Sequence, residues 1–313
     1  MAGSTGVVIA ALIANGAIAV LKFGGFVLTG SPSMLSETYH SISDTGNQVF
    51  LLVGIKYSDQ KADRTHPFGY GKAQFFYSFL VSVLLFGIAG WESLKHGYDA
   101  VVHGGHGTVP PVAFAGMEFP AWYVNVVVLL GAIGFETYAF KKASDELNRQ
   151  IREYEWNGLR DAFRKTSDVT TLTAYTEDAI ALGGAIIALV GITLTQLTGN
   201  HIFDAMGAVI IGILLMGFAV ALAWENKRLI LGESLHKEDE ADLRRIVRDH
   251  PGVVEIDAFS TVFVGPQDVL VTMDVSFDPE LVTGDLETDI TEIEEKLKAE
   301  DDRVNYVFIE PEL

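Results

Sequence analysis

The 313-residue chain is 49% apolar, has a positive mean hydropathy of +0.28 and carries a formal net charge of −19 at pH 7. So acidic a chain repels nucleic acid and anionic headgroups, which argues against a polyanion partner. It has no cysteine, so there is neither a disulfide framework nor a thiolate metal site, and any metal must be held by His, Asp, Glu or water.

Six apolar stretches of about 20 residues precede residue 230, each long enough to cross a ~30 Å hydrocarbon core as a helix. They run Val7 to Thr29, Met34 to Ile55, Phe75 to Leu94, Trp122 to Phe140, Thr170 to Leu194 and Phe203 to Trp224. Buried core helices of a soluble protein account for one or two such runs, not for six. The first is too long for the apolar part of a signal peptide and has no basic flank before it, so it reads as a retained helix. Of the 15 basic residues before Gly232, 13 follow the second span (Lys56, Lys61, Arg64, Lys72), the fourth (Lys141, Lys142, Arg149, Arg152, Arg160, Arg164, Lys165) or the sixth (Lys227, Arg228). Basic loops stay in the cytoplasm, so both termini are expected there, in a multi-pass protein of the cell membrane. The segment Lys142 to Asp168 is mixed in charge and reads as helical. The turn His103-Gly-Gly-His106, with His96 nearby, falls on the outer side and reads as a Gly-rich turn rather than a metal site.

Period and composition change near Gly232, which divides the chain into a membrane domain, 1–232, and an acidic cytoplasmic domain, 233–313. Ala241, Leu243, Ile246 and Val247 suit a short amphipathic helix closed by His250-Pro251-Gly252. Val253 to Val264 reads as a strand turning at Gly265-Pro266, and Val269, Val271, Met273, Val275 and Phe277 alternate as a second. Leu286, Ile290, Ile293 and Leu297 mark another helix, and Val304 to Ile309 a last strand. The order αββαβ predicts two helices on one face of a three-stranded sheet. About 80 residues give a marginal core, which dimerisation would support. This region holds 23 acidic and 7 basic residues, −16 of the net charge. Their even spread favours a hydrated surface suited to high salt, hence a halophilic source, over a device for gathering cations.

Ionisable residues inside membrane spans are costly and mark function by default. The deep ones are Lys22, Glu37, His40, Asp44, Glu136, Glu177 and Asp178. His40 and Asp44, four apart, project from one helical face and offer an imidazole nitrogen and a carboxylate to one ion. Asp178 in the fifth span can complete the site, giving an N/O donor set suited to Zn²⁺ and tolerant of Mn²⁺, Fe²⁺ or Co²⁺. Lys22 either neutralises the site or snorkels, and Glu37 reads as facing an outer vestibule.

The stretch His40-Ser41-Ile42-Ser43-Asp44 and the run His66-Pro67-Phe68-Gly69-Tyr70-Gly71-Lys72-Ala73 resemble signatures of the cation diffusion facilitator family of metal-ion transporters. A closer likeness, to its zinc transporter 9-like branch, rests on Ser33-Met34, Thr45, Asn47-Gln48, Glu136, Glu177-Asp178, Thr198-Gly199-Asn200 and Leu231-Gly232-Glu233-Ser234. The resemblance covers nearly the whole chain. It implies six spans and a dimerising ferredoxin-like αββαβ tail, and exchange of cytoplasmic Zn²⁺ or a related metal, as substrate rather than cofactor, for protons. It further implies a weak, two-ligand remnant at Asp63 and His66 of an accessory metal site found in some relatives, its third histidine replaced by Tyr70. It implies a structural charge pair between Lys72 and Glu233, and tail metal positions reduced to Asp274 and Glu310.

One departure concerns selectivity. Most zinc-selective relatives carry a second HxxxD in the fifth span, and here the position four before Asp178 is Ala174. Glu177, rotated about 100° from Asp178, is a distorted fourth ligand, or yields that place to water, or pairs elsewhere and carries protons with Glu136; all three stay open. The leading expectation is a non-enzymatic, proton-coupled efflux carrier for Zn²⁺, or for Mn²⁺, Fe²⁺ or Co²⁺. A metal-gated channel or a membrane metal hydrolase could use the same ligands, though no HExxH or GxSxG supports the latter. Coupled flux of metal and protons separates the three.

Overall fold

The computed structural model describes residues 2–104, 111–114, 117–153, 156–165 and 169–312. His106, Tyr154, Glu155 and Thr166 to Asp168 lie outside the described residues, as do the side chains of Arg164 and Lys165. Long helices dominate the first 231 residues: α1 (Ala2–Thr29), α2 (Pro32–Ser58), α3 (Lys72–Leu84), α4 (Trp91–His103), α5 (Trp122–Glu153), α7 (Val169–Thr198) and α8 (Ile202–Leu231). A π-helical stretch, Leu85–Gly90, joins α3 to α4 in one continuous rod of 32 residues. Short α6 (Leu159–Lys165) follows α5. The strands β1 (Val112–Phe114) and β2 (Met117–Phe119) pair antiparallel.

Five of these segments are long and apolar enough to cross a membrane: those within α1, α3–α4, α5, α7 and α8. The expected second span, α2, falls short of that apolar standard. Ser33, Ser36, Glu37, Thr38, His40 and Ser41 all lie on it, and all are buried. Its polar residues thus face protein, the placement a polar helix needs if it is to stand among apolar ones. His103, expected in a turn, instead ends α4, and Gly104 after it takes a positive φ of 80°.

The chain separates into two compact units, one of residues 1–52 and 78–224 and one of residues 53–77 and 225–313. In the first unit, Met34, Leu85, Leu129, Ala185, Ala188, Ile192, Ile211 and Leu215 form the core. Small residues let its helices close up. A side chain at Gly97 would stand 2.7 Å from Val209 N, and one at Gly212 would stand 2.6 Å from Leu94 N, so α4 and α8 meet backbone to backbone.

In the second unit, α9 (Lys237–Arg248) precedes β3 (Val253–Gly265) and β4 (Asp268–Phe277), and α10 (Thr283–Glu300) leads to β5 (Val304–Glu312). The sheet order is β3-β4-β5, antiparallel across the first pair and parallel across the second, with α10 supplying the crossover a parallel pair needs. Val269, Val271, Met273, Val275 and Phe277 bury one face of β4 against Leu243, Val247, Ile293 and Leu297 of the two helices. Arg303 bonds Asp301 and reaches Asp239 at 2.8 Å. Burial alone would raise the Asp301 carboxyl, but the Arg303 hydrogen bonds and charge hold it below its ordinary value.

The loop 59–71 belongs to this unit. Phe68 sets its ring edge-on against Tyr306 and Phe308 of β5, with centroids 5.5 and 6.4 Å away. Gly71 approaches the β3–β4 turn so closely that a side chain there would stand 2.6 Å from Gly265 Cα.

Candidate metal site

His40 and Asp44 sit one turn apart on α2, as their spacing requires, with His40 Nδ1 3.5 Å from Asp44 Oδ1. His40 is 1% exposed, yet among the described residues neither of its ring nitrogens has a hydrogen-bond partner. The 3.5 Å approach to Asp44 is a charge contact, too loose to satisfy the ring. A buried imidazole with both nitrogens free is costly in a structural role and is the state a ligand requires before its ion arrives.

On α7 the two acidic neighbours diverge. Glu177 accepts long hydrogen bonds from Asn47 Nδ2 at 3.4 and 3.5 Å, which brings it to α2, and its charge acts on Asp44. Asp178 exerts its charge on Glu136 of α5, which is 7% exposed, as well as on Glu177. Asp44, Glu136, Glu177 and Asp178 thus share one electrostatic neighbourhood. Among the described residues no three His, Asp or Glu side chains are close enough together to hold an ion as they stand. Glu177 thus reaches α2 through Asn47, while Asp178 acts on Glu136 and on Glu177 itself.

Lys22 and Glu37 correct the sequence reading. Glu37 was expected to face an outer vestibule; instead both side chains are fully buried, and Lys22 Nζ donates to Glu37 Oε2 at 2.8 Å. Snorkelling is excluded with it. The other oxygen, Oε1, has no hydrogen-bond partner among the described residues and points toward Gly184 of α7. The charge of Lys22 reaches His40, Asp44 and Glu136. Asp204 was missed altogether. It is buried in the first turn of α8 and accepts hydrogen bonds from the Ser33 amide and hydroxyl, while its own amide donates to Thr195. A lone carboxylate at the start of the apolar run Phe203 to Trp224 was its only signal.

The accessory positions are already engaged. Asp63 Oδ1 accepts from the Thr65 amide and hydroxyl and from the His66 amide, and Oδ2 accepts from the Tyr70 hydroxyl at 2.9 Å. Thr65, then the His66 amide and the Tyr70 hydroxyl, hold the Asp63 carboxyl well below the usual carboxylate range. The His66 ring stacks on Tyr70, with centroids 4.0 Å apart. Here Asp63 caps a turn, and Tyr70 occupies what a third ligand would need.

The pair expected between Lys72 and Glu233 is not what the structure shows. Glu233 bonds Arg228 of α8, and Lys72 is exposed without an ion pair among the described residues. In the sheet, Asp274 and Glu310 are direct partners across β4 and β5, on the face away from the helices.

Residues 8–231 match the cation efflux transmembrane domain family, and residues 235–312 match the cation efflux protein cytoplasmic domain family. The chain is 30% identical over 277 residues to a human protein named proton-coupled zinc antiporter SLC30A9, mitochondrial; the match takes in 88% of this chain and 46% of that one. It is 26% identical over 274 residues to metal tolerance protein C4 of Arabidopsis thaliana, covering 87% of this chain and 57% of the relative. It is also 26% identical over 245 residues to the cation-efflux pump FieF of Klebsiella pneumoniae, covering 78% and 72%. The chain thus spans about half the length of the SLC30A9 relatives it matches. With helices fit to cross a membrane and both domain families matched in order, the chain belongs to the cation diffusion facilitator family of metal-ion transporters, in its SLC30A9-like branch.

Proposed function

We propose that this chain is a secondary transporter that carries Zn²⁺ or a related divalent metal out of the cytoplasm in exchange for protons. The observation that supports the reading is His40: a buried imidazole with neither nitrogen hydrogen-bonded among the described residues, one turn from Asp44, on whose carboxylate Glu177 of α7 acts. His40, Asp44, Asp178 and Glu177 are the ligands of this reading, with Glu136 on the proton path. Each ligand must shed its proton before it binds the ion, so metal entry on one side and protonation on the other couple the two fluxes. Small rotations of α7 against α2 would gather Glu177 and Asp178 around the ion, and polar α2, second in chain order, brings the spans of this scheme to six.

The rest of the architecture follows the same reading. A membrane domain of residues 1–232 is joined to an αββαβ cytoplasmic domain of 233–313 that supports a homodimer, both termini are cytoplasmic, and the acidity reflects a salt-rich source. A carrier preferring Mn²⁺, Fe²⁺ or Co²⁺ is the second reading, favoured by Ala174, which puts a methyl group where a second imidazole would stand. The test is zinc flux into vesicles containing the purified protein. His40→Ala, Asp44→Ala and Asp178→Ala should each lose it while folding normally, and wild-type flux by a folded Asp178→Ala protein would remove that residue from the site.

A further inference from the structure

The interior of the helical unit holds one feature that ligand chemistry does not use. Lys22 of α1 and Glu37 of α2 are both fully buried, 2.8 Å apart. A buried ion pair is weak evidence for stability, since desolvating two charges offsets most of their attraction, and in a membrane segment the cost is higher still. The pair is also incompletely satisfied, because Glu37 Oε1 has no hydrogen-bond partner among the described residues. Its placement is the telling part. Lys22 is the cation whose charge reaches His40, Asp44 and Glu136, within a neighbourhood that also holds Glu177 and Asp178. Glu37, three residues before His40 on the same helix, accepts one hydrogen bond from the ammonium and so holds it about one turn from the α2 ligands.

We propose that Lys22, held by Glu37, is the resident countercation of the metal site. It offsets part of the carboxylate charge before the ion enters and opposes the ion once it is bound, so that affinity stays low enough for release. Lys22 is a positioning and tuning residue rather than a ligand, and Glu37 sets how far its charge stays from Asp44. The proposal rests on the metal-site reading above and deepens it. Its physical basis is the interaction of a fixed unit charge with a divalent ion across a poorly screened interior, where such interactions are far stronger than in water.

The experiment measures Zn²⁺ affinity of the purified full chain by competition with a chelating dye, beside zinc transport in vesicles. Lys22→Met should bind Zn²⁺ about tenfold tighter or more and lower the maximal transport rate, while Lys22→Arg, which keeps the charge, should hold wild-type affinity. Glu37→Gln should weaken binding, because the released ammonium can then turn to Asp44 or Glu136. The double variant Lys22→Met/Glu37→Gln should return toward wild-type affinity, since it removes opposite charges together, and it serves as the readout if Lys22→Met alone does not fold. Unchanged or weaker binding by a folded Lys22→Met protein would overturn the proposal, as would wild-type affinity in Glu37→Gln. Asp44→Ala separates this from the reading beneath it: if that variant binds Zn²⁺ like wild type, the site itself is wrong whatever Lys22 does.

Discussion

The substitution Gly184→Ala asks how tightly α2 and α7 must be held for the site to work. A side chain at Gly184 would place its Cβ 2.5 Å from Glu37 Oε1. Ordinary carbon–oxygen contact lies at roughly 3.3–3.6 Å, so about 1 Å must be found. Two routes supply it. If the Glu37 carboxylate swings aside, it breaks the 2.8 Å bond to Lys22 and frees that ammonium toward the ligands. If α7 backs away, it carries Glu177 and Asp178 from His40 and Asp44 by a distance several times the roughly 0.2 Å tolerance of a metal–ligand bond. Both routes weaken metal binding, by about tenfold and up to about a hundredfold if the whole displacement falls on the ligands. Gly183→Ala is the matched control. A side chain there meets nothing within 4 Å, and it gains the same helix propensity, up to about 1 kcal/mol. Zinc competition titrations and thermal melts of the two purified variants give the answer. Gly184→Ala binding Zn²⁺ as tightly as Gly183→Ala would refute the packing and, with it, the placement of Glu37 against α7.

Further outcomes follow from the same structure. Ala174→His places an imidazole four residues before Asp178 on α7 and should raise the Zn²⁺ to Mn²⁺ flux ratio in vesicles; an unchanged ratio would mean that Ala174 does not face the ion. Leu297→Ala in α10 removes a fully buried side chain from the core of the second unit and should cost about 2–5 kcal/mol, measured as faster hydrogen exchange along β4. With 23 carboxylates from Glu233 onward, the full chain's cytoplasmic sheet should gain protection steadily with KCl or NaCl alike, as the Debye length shrinks below ~10 Å. Saturable protection by micromolar Zn²⁺ instead, lost in Asp274→Asn or Glu310→Gln, would make the tail a metal sensor.

The parts of this molecule that were legible in its sequence are those set by a short period. Strict alternation from Val269 to Phe277 marked β4, and the three- and four-residue spacing from Leu286 to Leu297 marked α10; both elements stand where the pattern put them. The HxxxD spacing likewise fixed His40 and Asp44 on one face. Contacts between separate helices were not legible. Lys22 and Glu37 lie 15 residues apart on different helices, and nothing local reveals that each buries the other's charge. Glu37 was misplaced because depth along a span says nothing about which way a side chain turns. The strands β1 and β2 were missed because three residues each are too few to show alternation. At Asp63 and His66 the residue types fit a weak metal site, while the hydrogen bonds that Asp63 accepts from Thr65 and Tyr70 have no short-period signal in the sequence. Glu233 was expected to pair with Lys72, and only the geometry sets it against Arg228.

The central claim, that metal and protons move through one site in opposite directions, is tested most directly by following both at once. Purified protein in sealed vesicles, with a zinc dye and a pH dye inside, is given external Zn²⁺ without any imposed gradient of protons. The account predicts that zinc entry and proton exit rise together in a fixed ratio, that a pH gradient alone drives zinc uphill, and that Asp44→Ala abolishes both signals. Zinc entry with no proton movement, or ohmic current that ignores the pH gradient, would contradict it.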